Sequence, residues 1–245
     1  MPVRDLLSAS SGNITAPITV TSLGVNTNTS NSCTLTLGSS VPAGSLIYLQ
    51  IGQINASGDS GTPSISDSAG NTYYYIDAYT LTSTPSLIGQ SQGGFFYCYN
   101  CLGLSSGNTI TVSWSNGNNY SGISGLYAQN VNKTSACLEA KVKTFYNPID
   151  SNTLSIVSAT PSTSGELFIS GFVGACYSGD LFSYDFSNGW FAPTTRFACD
   201  TGARNTVCGG GNIINTGTSA LTFSPSNVYG YYSSAVIYVV NFKPA

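Results

Sequence analysis

The sequence contains no histidine and very few charged residues. Lysine and arginine number 7 and aspartate and glutamate 10 among 245 residues, so charged side chains make up 7% of the chain, against roughly 25% in ordinary soluble domains. Without histidine, Ser-His-Asp and Cys-His catalysis and the usual histidine-ligated zinc hydrolases are excluded. The formal net charge is −3 and no basic patch is visible. We therefore expect no nucleic-acid partner, since such binding draws its affinity from neutralised phosphates.

The sequence also lacks a run of about 18 apolar residues, so we expect no transmembrane helix and no membrane partner. Residues 1–16 lack the apolar centre of a signal peptide, although abundant cysteine suggests an oxidising destination. A virion protein, made in a host cytoplasm and then released, reconciles the two observations, as does a chain whose signal peptide has been removed. We prefer the first. We interpret residues 1–16, with an apolar cluster of Val3, Leu6 and Leu7, as an N-terminal docking arm.

Acidic residues are too scarce to suggest catalysis by a carboxylate pair, the remaining option for an extracellular hydrolase. The only glutamates are Glu139 and Glu166, and most aspartates lie in Gly/Ser/Asn turns, where they bond nearby backbone amides. The turn DSAGNTY, residues 67–73, could hold calcium through Asp67, but it lacks the several carboxylates of a tight site. We predict that the protein is not an enzyme and has no metal site and no other cofactor.

What the sequence has in abundance is the pattern of short β-strands. Residues 108–115, NTITVSWS, place Ile110, Val112 and Trp114 on one face, which is the period of a half-buried strand. Trp114 is therefore predicted in the core. Similar segments alternate with turn clusters that hold many of the 27 glycines and 10 prolines. The sequence predicts an all-β fold, an antiparallel β-sandwich. Residues 135–145, SACLEAKVKTF, could instead be a helix, an edge strand or a linker.

One plan of strand, proline-glycine loop and strand occurs twice, about 120 residues apart. The segment SCTLTLGSSVPAGSLIYLQIG, residues 32–52, matches NTLSIVSATPSTSGELFISGFVG, residues 152–174. We therefore divide the chain into related halves, about 17–135 and 145–245. Two interpretations follow: two small tandem sandwiches, or one jelly-roll-like sandwich with equivalent strands. We prefer a single sandwich domain over residues 17–245, because no linker of distinct composition separates the halves.

Seven cysteines are candidates for disulfides, and their number is odd, so one thiol is free or bonds another chain. They are Cys33, Cys98, Cys101, Cys137, Cys176, Cys199 and Cys208. A Cys199–Cys208 bridge is the best single pairing, while Cys98 and Cys101 could pair with each other or with distant cysteines. Neither a thioredoxin-like setting nor a second CxxC pair for zinc is present. A bond between chains, with Cys33 as one candidate, would suit a homo-oligomer.

The segment YDFSNGWFAP, residues 184–193, places an aromatic cluster among turn residues. Exposed aromatic rings beside Asn and Asp are how β-sandwich lectins stack on sugars. Trp190, Tyr184, Asp185 and Asn188 are therefore possible glycan contacts. The other interpretation is that this loop packs on the end of the sandwich or on a neighbouring subunit.

Several motifs resemble a recurrent β-sandwich domain of phage and bacterial surface proteins. They are Pro42-Ala43-Gly44, the DSAGNTY turn at 67–73, GNTITV at 107–112 and the closing strand AVIYVVNFKP at 235–244. The resemblance implies a jelly-roll-like fold and a place on a virion or cell exterior, and it transfers no catalytic residue.

We expect a non-enzymatic structural protein of the virion surface. It would decorate or cement a bacteriophage capsid, or form part of a neck or tail appendage, with virion proteins and other copies of itself as partners. The alternative is a glycan-binding adhesin or receptor-binding module that uses the Trp190 loop on a surface glycan.

Overall fold

The structure is a computed structural model that describes residues 16–55, 61–82, 90–116, 119–146, 155–177, 190, 197–200, 204–224 and 232–245. These residues form sixteen β-strands and one short 3-10 turn, and every strand pairing among them is antiparallel. The predicted all-β, antiparallel sandwich built from two similar halves is confirmed. Among the described helical residues, no segment has the length and apolar character needed to cross a membrane.

The described part of the first half forms eight strands in two sheets. They are β1 (Thr19–Asn28), β2 (Ser32–Thr36), β3 (Leu46–Asn55), β4 (Pro63–Asp67), β5 (Tyr74–Thr82), β6 (Gln90–Cys98), β7 (Thr109–Trp114) and β8 (Asn119–Gln129). The first large sheet has the order β1-β8-β3-β6-β5, and the first small sheet has the order β2-β7-β4.

The second half follows a 3-10 turn at Ser135–Cys137. Its strands are β9 (Leu138–Tyr146), β10 (Ile156–Val157), β11 (Glu166–Tyr177), β12 (Phe197–Asp200), β13 (Arg204–Gly209), β14 (Asn212–Asn215), β15 (Thr222–Phe223) and β16 (Tyr232–Phe242). The second large sheet has the order β12-β13-β11-β16-β9, with β14 also paired to β11, and the second small sheet is β10-β15.

The two halves share one topology. The first large sheet reads β1-β8-β3-β6-β5, and the second, read from its other edge, is β9-β16-β11-β13-β12, with strands in equivalent positions. In the small sheets, β2-β7 corresponds to β10-β15. The repeated loop motif in the sequence therefore marks a repeated fold. Because β9 is the edge strand of the second large sheet, residues 135–145 are a short turn and a strand, and the second half begins before residue 145.

The four sheets stack as four layers around three apolar cores. One core lies between the small and large sheets of the first half, a central core lies between the two large sheets, and a third lies under the second small sheet. No described strand of one half enters a sheet of the other half. Each half thus pairs a large sheet with a small one, and the central core packs the two large sheets against each other.

Strand β3 shows why the segment at residues 46–51 carries no charge. Leu46 and Tyr48 face the central core. Ile47 and Leu49 face the first-half core. A strand buried on both faces has no solvent-facing position for a charged side chain, so it is apolar throughout rather than alternating.

Polar contacts also join the halves across the central core. The Gln50 side-chain amide donates to the Phe172 carbonyl at 2.8 Å in a buried position. At the rim, Asp77 on β5 lies 2.9 Å from Lys143 Nζ and 3.8 Å from Lys141 Nζ on β9. Such exposed ion pairs contribute only about 0–1 kcal/mol each, so apolar burial dominates the attachment.

Candidate binding surface at the edge of the first large sheet

Strand β5 is an edge strand that presents tyrosines to solvent. Among the described residues it pairs only with β6, and its register shifts between Tyr75 and Asp77. Before this bulge, Tyr74 and Tyr75 point to opposite faces of the sheet and are 39% and 52% exposed. After it, Asp77 lies opposite Phe95 and reaches the lysines of β9. The bulge thereby separates an aromatic part of the edge from a charged part.

On the face toward the second half, three tyrosines form a patch. The rings of Tyr74 and Tyr99 stack at 5.0 Å between centroids, and Tyr97 lies 5.7 Å from Tyr74. Tyr97 in turn packs on Phe242, 5.8 Å away, in the last strand of the second half. The Tyr99 hydroxyl donates to that of Tyr74 at 3.2 Å, and this hydrogen bond, with a little burial, raises the pKa of Tyr99. The patch is held in place by both halves.

On the opposite face, a cavity of about 410 Å³ opens between β5–β6 of the large sheet and β4–β7 of the small sheet. Its lining includes Gly61, Pro63, Tyr75, Gln92, Phe96 and Trp114. The Tyr75 ring stands edge-on to Phe96 at 5.2 Å. Burial, and then the nearby Asp77 charge, raise the pKa of Tyr75, so its hydroxyl is neutral and can donate at physiological pH. Among the described residues, the eight that line the cavity carry no charge.

Trp114 ends β7 and is confirmed as a core residue. It is 3% exposed and belongs to the first-half core. Its indole Nε1–H is buried and has no hydrogen-bond partner in the structure. Sequence reasoning placed the ring correctly but had no signal for the cavity, because the cavity depends on how far β4 and β5 separate.

In the DSAGNTY turn, the Asp67 carboxylate accepts hydrogen bonds from within the turn. Asp67 Oδ1 accepts from the backbone N–H groups of Ala69 and Asn71, at 3.0 and 3.1 Å. Its Oδ2 accepts from Asn71 Nδ2 at 2.8 Å and from the Tyr73 hydroxyl at 2.7 Å. Burial by itself raises the pKa of Asp67, but these hydrogen bonds outweigh it and bring the pKa below its ordinary value. The carboxylate closes the turn, and no group of three potential metal ligands occurs among the described residues.

The two glutamates, which are far apart in sequence, meet through Asn241. Its side-chain amide donates to Glu139 Oε2 at 2.9 Å and to Glu166 Oε2 at 2.6 Å. Glu166 is fully buried and also accepts from the Thr163 backbone N–H and hydroxyl. Burial raises the pKa of Glu139, but hydrogen bonding with Glu166 and Ser162, and the Lys243 charge, leave it below its ordinary value. Sequence reasoning missed this pairing, which fastens the 161–165 loop to the last strand.

Four cysteine side chains are buried thiols. Cys33, Cys98, Cys101 and Cys137 form no disulfide in the structure. The Cys101 thiol donates to the Pro42 carbonyl at 3.4 Å. Burial raises the pKa of Cys33 and Cys137 to about 11 and that of Cys98 to about 12, so these thiols are weak nucleophiles. The structure gives no support for disulfides at these four predicted positions.

The β12–β13 register disfavours the predicted Cys199–Cys208 bridge. Cys199 pairs with Thr206, and Cys208 pairs with Phe197. The two cysteines are therefore diagonal neighbours, with Cα atoms about 7–8 Å apart, beyond the usual Cα separation in a disulfide. The side chains of Cys199 and Cys176 lie outside the described residues.

Trp190 is buried rather than exposed. It is 4% exposed, packs on Phe223 at 5.3 Å and donates from Nε1 to the Thr222 carbonyl at 2.9 Å. The indole therefore packs on the second sandwich, as the alternative interpretation of this loop expects, and neither face of its ring is open to a sugar. Tyr184, Asp185 and Asn188, the other predicted glycan contacts, lie outside the described residues, as do residues 1–15 of the predicted arm.

Comparison with known proteins adds no relative. No family model, no curated protein and no solved structure matches this chain.

Proposed function

We propose that this protein is a non-enzymatic structural protein of a virion surface, docking onto other virion proteins through the β5 edge of its first large sheet. It would decorate or cement a capsid, or form part of a neck or tail appendage. The observation that carries the proposal is the exposed tyrosine pair, Tyr74 and Tyr75, on an edge strand.

Edge strands offer unpaired backbone groups to another chain, and tyrosines are enriched where proteins meet. The patch of Tyr74, Tyr97 and Tyr99 combines both features. Its rings are already stacked on one another and on Phe242, so little side-chain freedom is lost on binding, which favours affinity. With 7% charged residues, recognition would depend on shape and aromatic burial rather than on long-range steering.

The chemistry of the described polar groups supports a structural role. Asp67, Glu139 and Glu166 are engaged in internal hydrogen bonds, and the four thiols with raised pKa values are buried. None of these groups is presented to a substrate, which is the arrangement expected of a scaffold.

The same edge suits a second copy of the chain, so a homo-oligomer on the virion exterior is part of the proposal. Two β5 edges related by a two-fold axis would extend the first large sheet across both chains and bury the tyrosine patches against each other.

The test compares the double variant Tyr74→Ala/Tyr75→Ala with Phe145→Ala, an exposed aromatic on β9. Purified proteins are added to particles stripped of this protein, and attachment is measured by co-sedimentation, with oligomeric state measured by light scattering. We expect the β5 variant to lose attachment while circular dichroism stays unchanged, and Phe145→Ala to attach normally. Full attachment of the β5 variant would show that docking uses another surface, and a deletion of residues 1–16 then tests the arm.

A glycan-binding adhesin or receptor-binding module remains the second candidate. The Trp190 indole itself is buried and is not available for stacking on a sugar. The observation that favours glycan binding is a different one, the cavity that Tyr75, Phe96 and Trp114 line with aromatic rings.

A further inference from the structure

We propose that Lys141 and Lys143 of β9 form a latch on strand β5, which keeps this edge from pairing with a second copy of the chain until the two lysines are displaced. The inference deepens the proposed pairing of two β5 edges and rests on it.

The bulge in β5 is the first reason. The register of β5 on β6 shifts between Tyr75 and Asp77, so Ile76 has no residue opposite it on β6. The Ile76 carbonyl accepts a hydrogen bond from Lys141 Nζ of β9 at 2.7 Å. A strand added to this part of β5 would have to bring its backbone N–H groups beside a charged ammonium that already holds the carbonyl oxygen.

Ion pairs hold both lysines at this edge. Asp77 Oδ2 lies 2.9 Å from Lys143 Nζ and 3.8 Å from Lys141 Nζ. The Lys143 ammonium also lies over the Phe145 ring, 5.4 Å from its centre, within the range of a cation–π contact. Natural proteins protect exposed sheet edges with bulges and with lysine side chains, and both devices meet here at neighbouring residues.

The latch is weak enough to be displaced. The side chains of Lys141 and Lys143 are 53% and 40% exposed, and exposed ion pairs contribute little and are screened by salt. Tyr74 and Tyr75 lie before the bulge and are exposed, so a partner can reach them while both lysines are in place. We therefore expect pairing in two steps, with contact at the tyrosines first and strand pairing beyond the bulge only after the lysines leave Asp77.

The test measures self-association of the full-length protein by light scattering over a concentration series. The latch variant, Lys141→Thr/Lys143→Thr, places good strand formers on β9 with side chains too short to reach β5. We expect unchanged circular dichroism and a dimer dissociation constant about tenfold below that of the wild type, because two exposed ion pairs and one charged hydrogen bond no longer have to be broken. The matched control, Lys133→Thr/Lys243→Thr, removes the same charge outside β9 and should associate as the wild type does.

The wild type provides a second measurement without any substitution. Raising the salt from about 0.1 M to about 1 M shortens the Debye length from about 10 Å to about 3 Å. This should tighten wild-type association about tenfold and change that of the latch variant little. The proposal is overturned if the latch variant associates no more tightly than the wild type, if the control gains as much, or if salt affects the wild type and the latch variant alike. A gain that survives the addition of Tyr74→Ala/Tyr75→Ala would also overturn it, because association would then use another surface.

Attachment to particles separates this inference from the proposed function. If Tyr74→Ala/Tyr75→Ala loses attachment but the latch variant gains no self-association, docking at β5 is supported and the latch is refuted. If the tyrosine variant attaches normally while the latch variant dimerises through its tyrosines, the latch is supported and the surface that docks onto the virion lies elsewhere.

Discussion

The ring of Phe95 in the first half packs directly on the α-carbon of Gly171 in the second half. A Cβ added at Gly171 would lie 2.5 Å from both Cε1 and Cζ of Phe95. Phe95 is fully buried, and its ring centroid lies 6.0 Å from that of Tyr48 and 4.5 Å from that of Tyr238, so close packing limits how far its ring can move. At this contact the two large sheets approach each other too closely for a larger side chain at residue 171.

We therefore expect Gly171→Ala to destabilise the protein by about 1–3 kcal/mol, the usual cost of overpacking a core. Gly38→Ala is the control, because Gly38 is exposed and nothing lies within 4 Å of an added Cβ. Urea denaturation measures both. In the double variant Phe95→Leu/Gly171→Ala, the alanine should lower the free energy of unfolding by less than it does beside Phe95. If the double variant instead loses the sum of the two single losses, the two residues do not couple.

The shared central core predicts that both halves unfold together. Trp114 lies in the first half and Trp190 in the second. The variant Trp190→Phe therefore keeps Trp114 as a fluorescent probe of the first half, and Trp114→Phe keeps Trp190 as a probe of the second. In each variant, the fluorescence midpoint should coincide with the circular dichroism midpoint, as a single cooperative transition requires. Separate midpoints in either variant would mean that the sandwiches are independent domains.

The buried thiols should be inert in the native state. With pKa values of about 11 to 12 for Cys33, Cys98 and Cys137, far fewer than one in a hundred of these groups is thiolate at pH 8. We expect iodoacetamide to leave these three and Cys101 unlabelled until urea is added, as read by peptide mass spectrometry. Rapid native labelling of any of the four would contradict their burial. Cys176 and Cys199 remain the sequence-predicted candidates for a bond between chains.

Replacing Asp67 should weaken the DSAGNTY turn in a pH-dependent manner. Because the pKa of folded Asp67 lies below its ordinary value, its contribution to stability is present at neutral pH and is lost as pH falls through the folded pKa. We expect Asp67→Asn to lower the free energy of unfolding at pH 7 by about 1–3 kcal/mol, because an amide nitrogen would face the Asn71 and Tyr73 donors.

The difference in unfolding free energy between Asp67→Asn and the wild type should begin to narrow as pH falls below the ordinary aspartate pKa of about 4. It should vanish only below the lower pKa of folded Asp67, where the wild-type carboxyl is protonated in both states. Tyr73→Phe removes one of the four donors and should cost less, about 1 kcal/mol. Thermal unfolding between pH 2.5 and 7 measures all three proteins, and a difference that stays constant with pH would exclude this role for the carboxylate.

The sequence by itself determined the strands and the repeat. Alternation in residues 108–115 placed Trp114 in a core, and the matched loops at Pro42 and Pro161 revealed two similar halves. These features are local, since strand period and turn chemistry depend on neighbours along the chain.

Only the tertiary structure decided how the halves meet and where a site lies. The charge-free strand β3 is buried on both faces because a second sandwich covers its outer side, and no pattern within residues 46–51 names that partner. Glu139 and Glu166 both bond Asn241, and Trp190 is buried. In each case strands distant in sequence determine which side chains touch. The cavity beside Trp114 likewise depends on the separation of β4 and β5, which packing sets and local sequence does not encode.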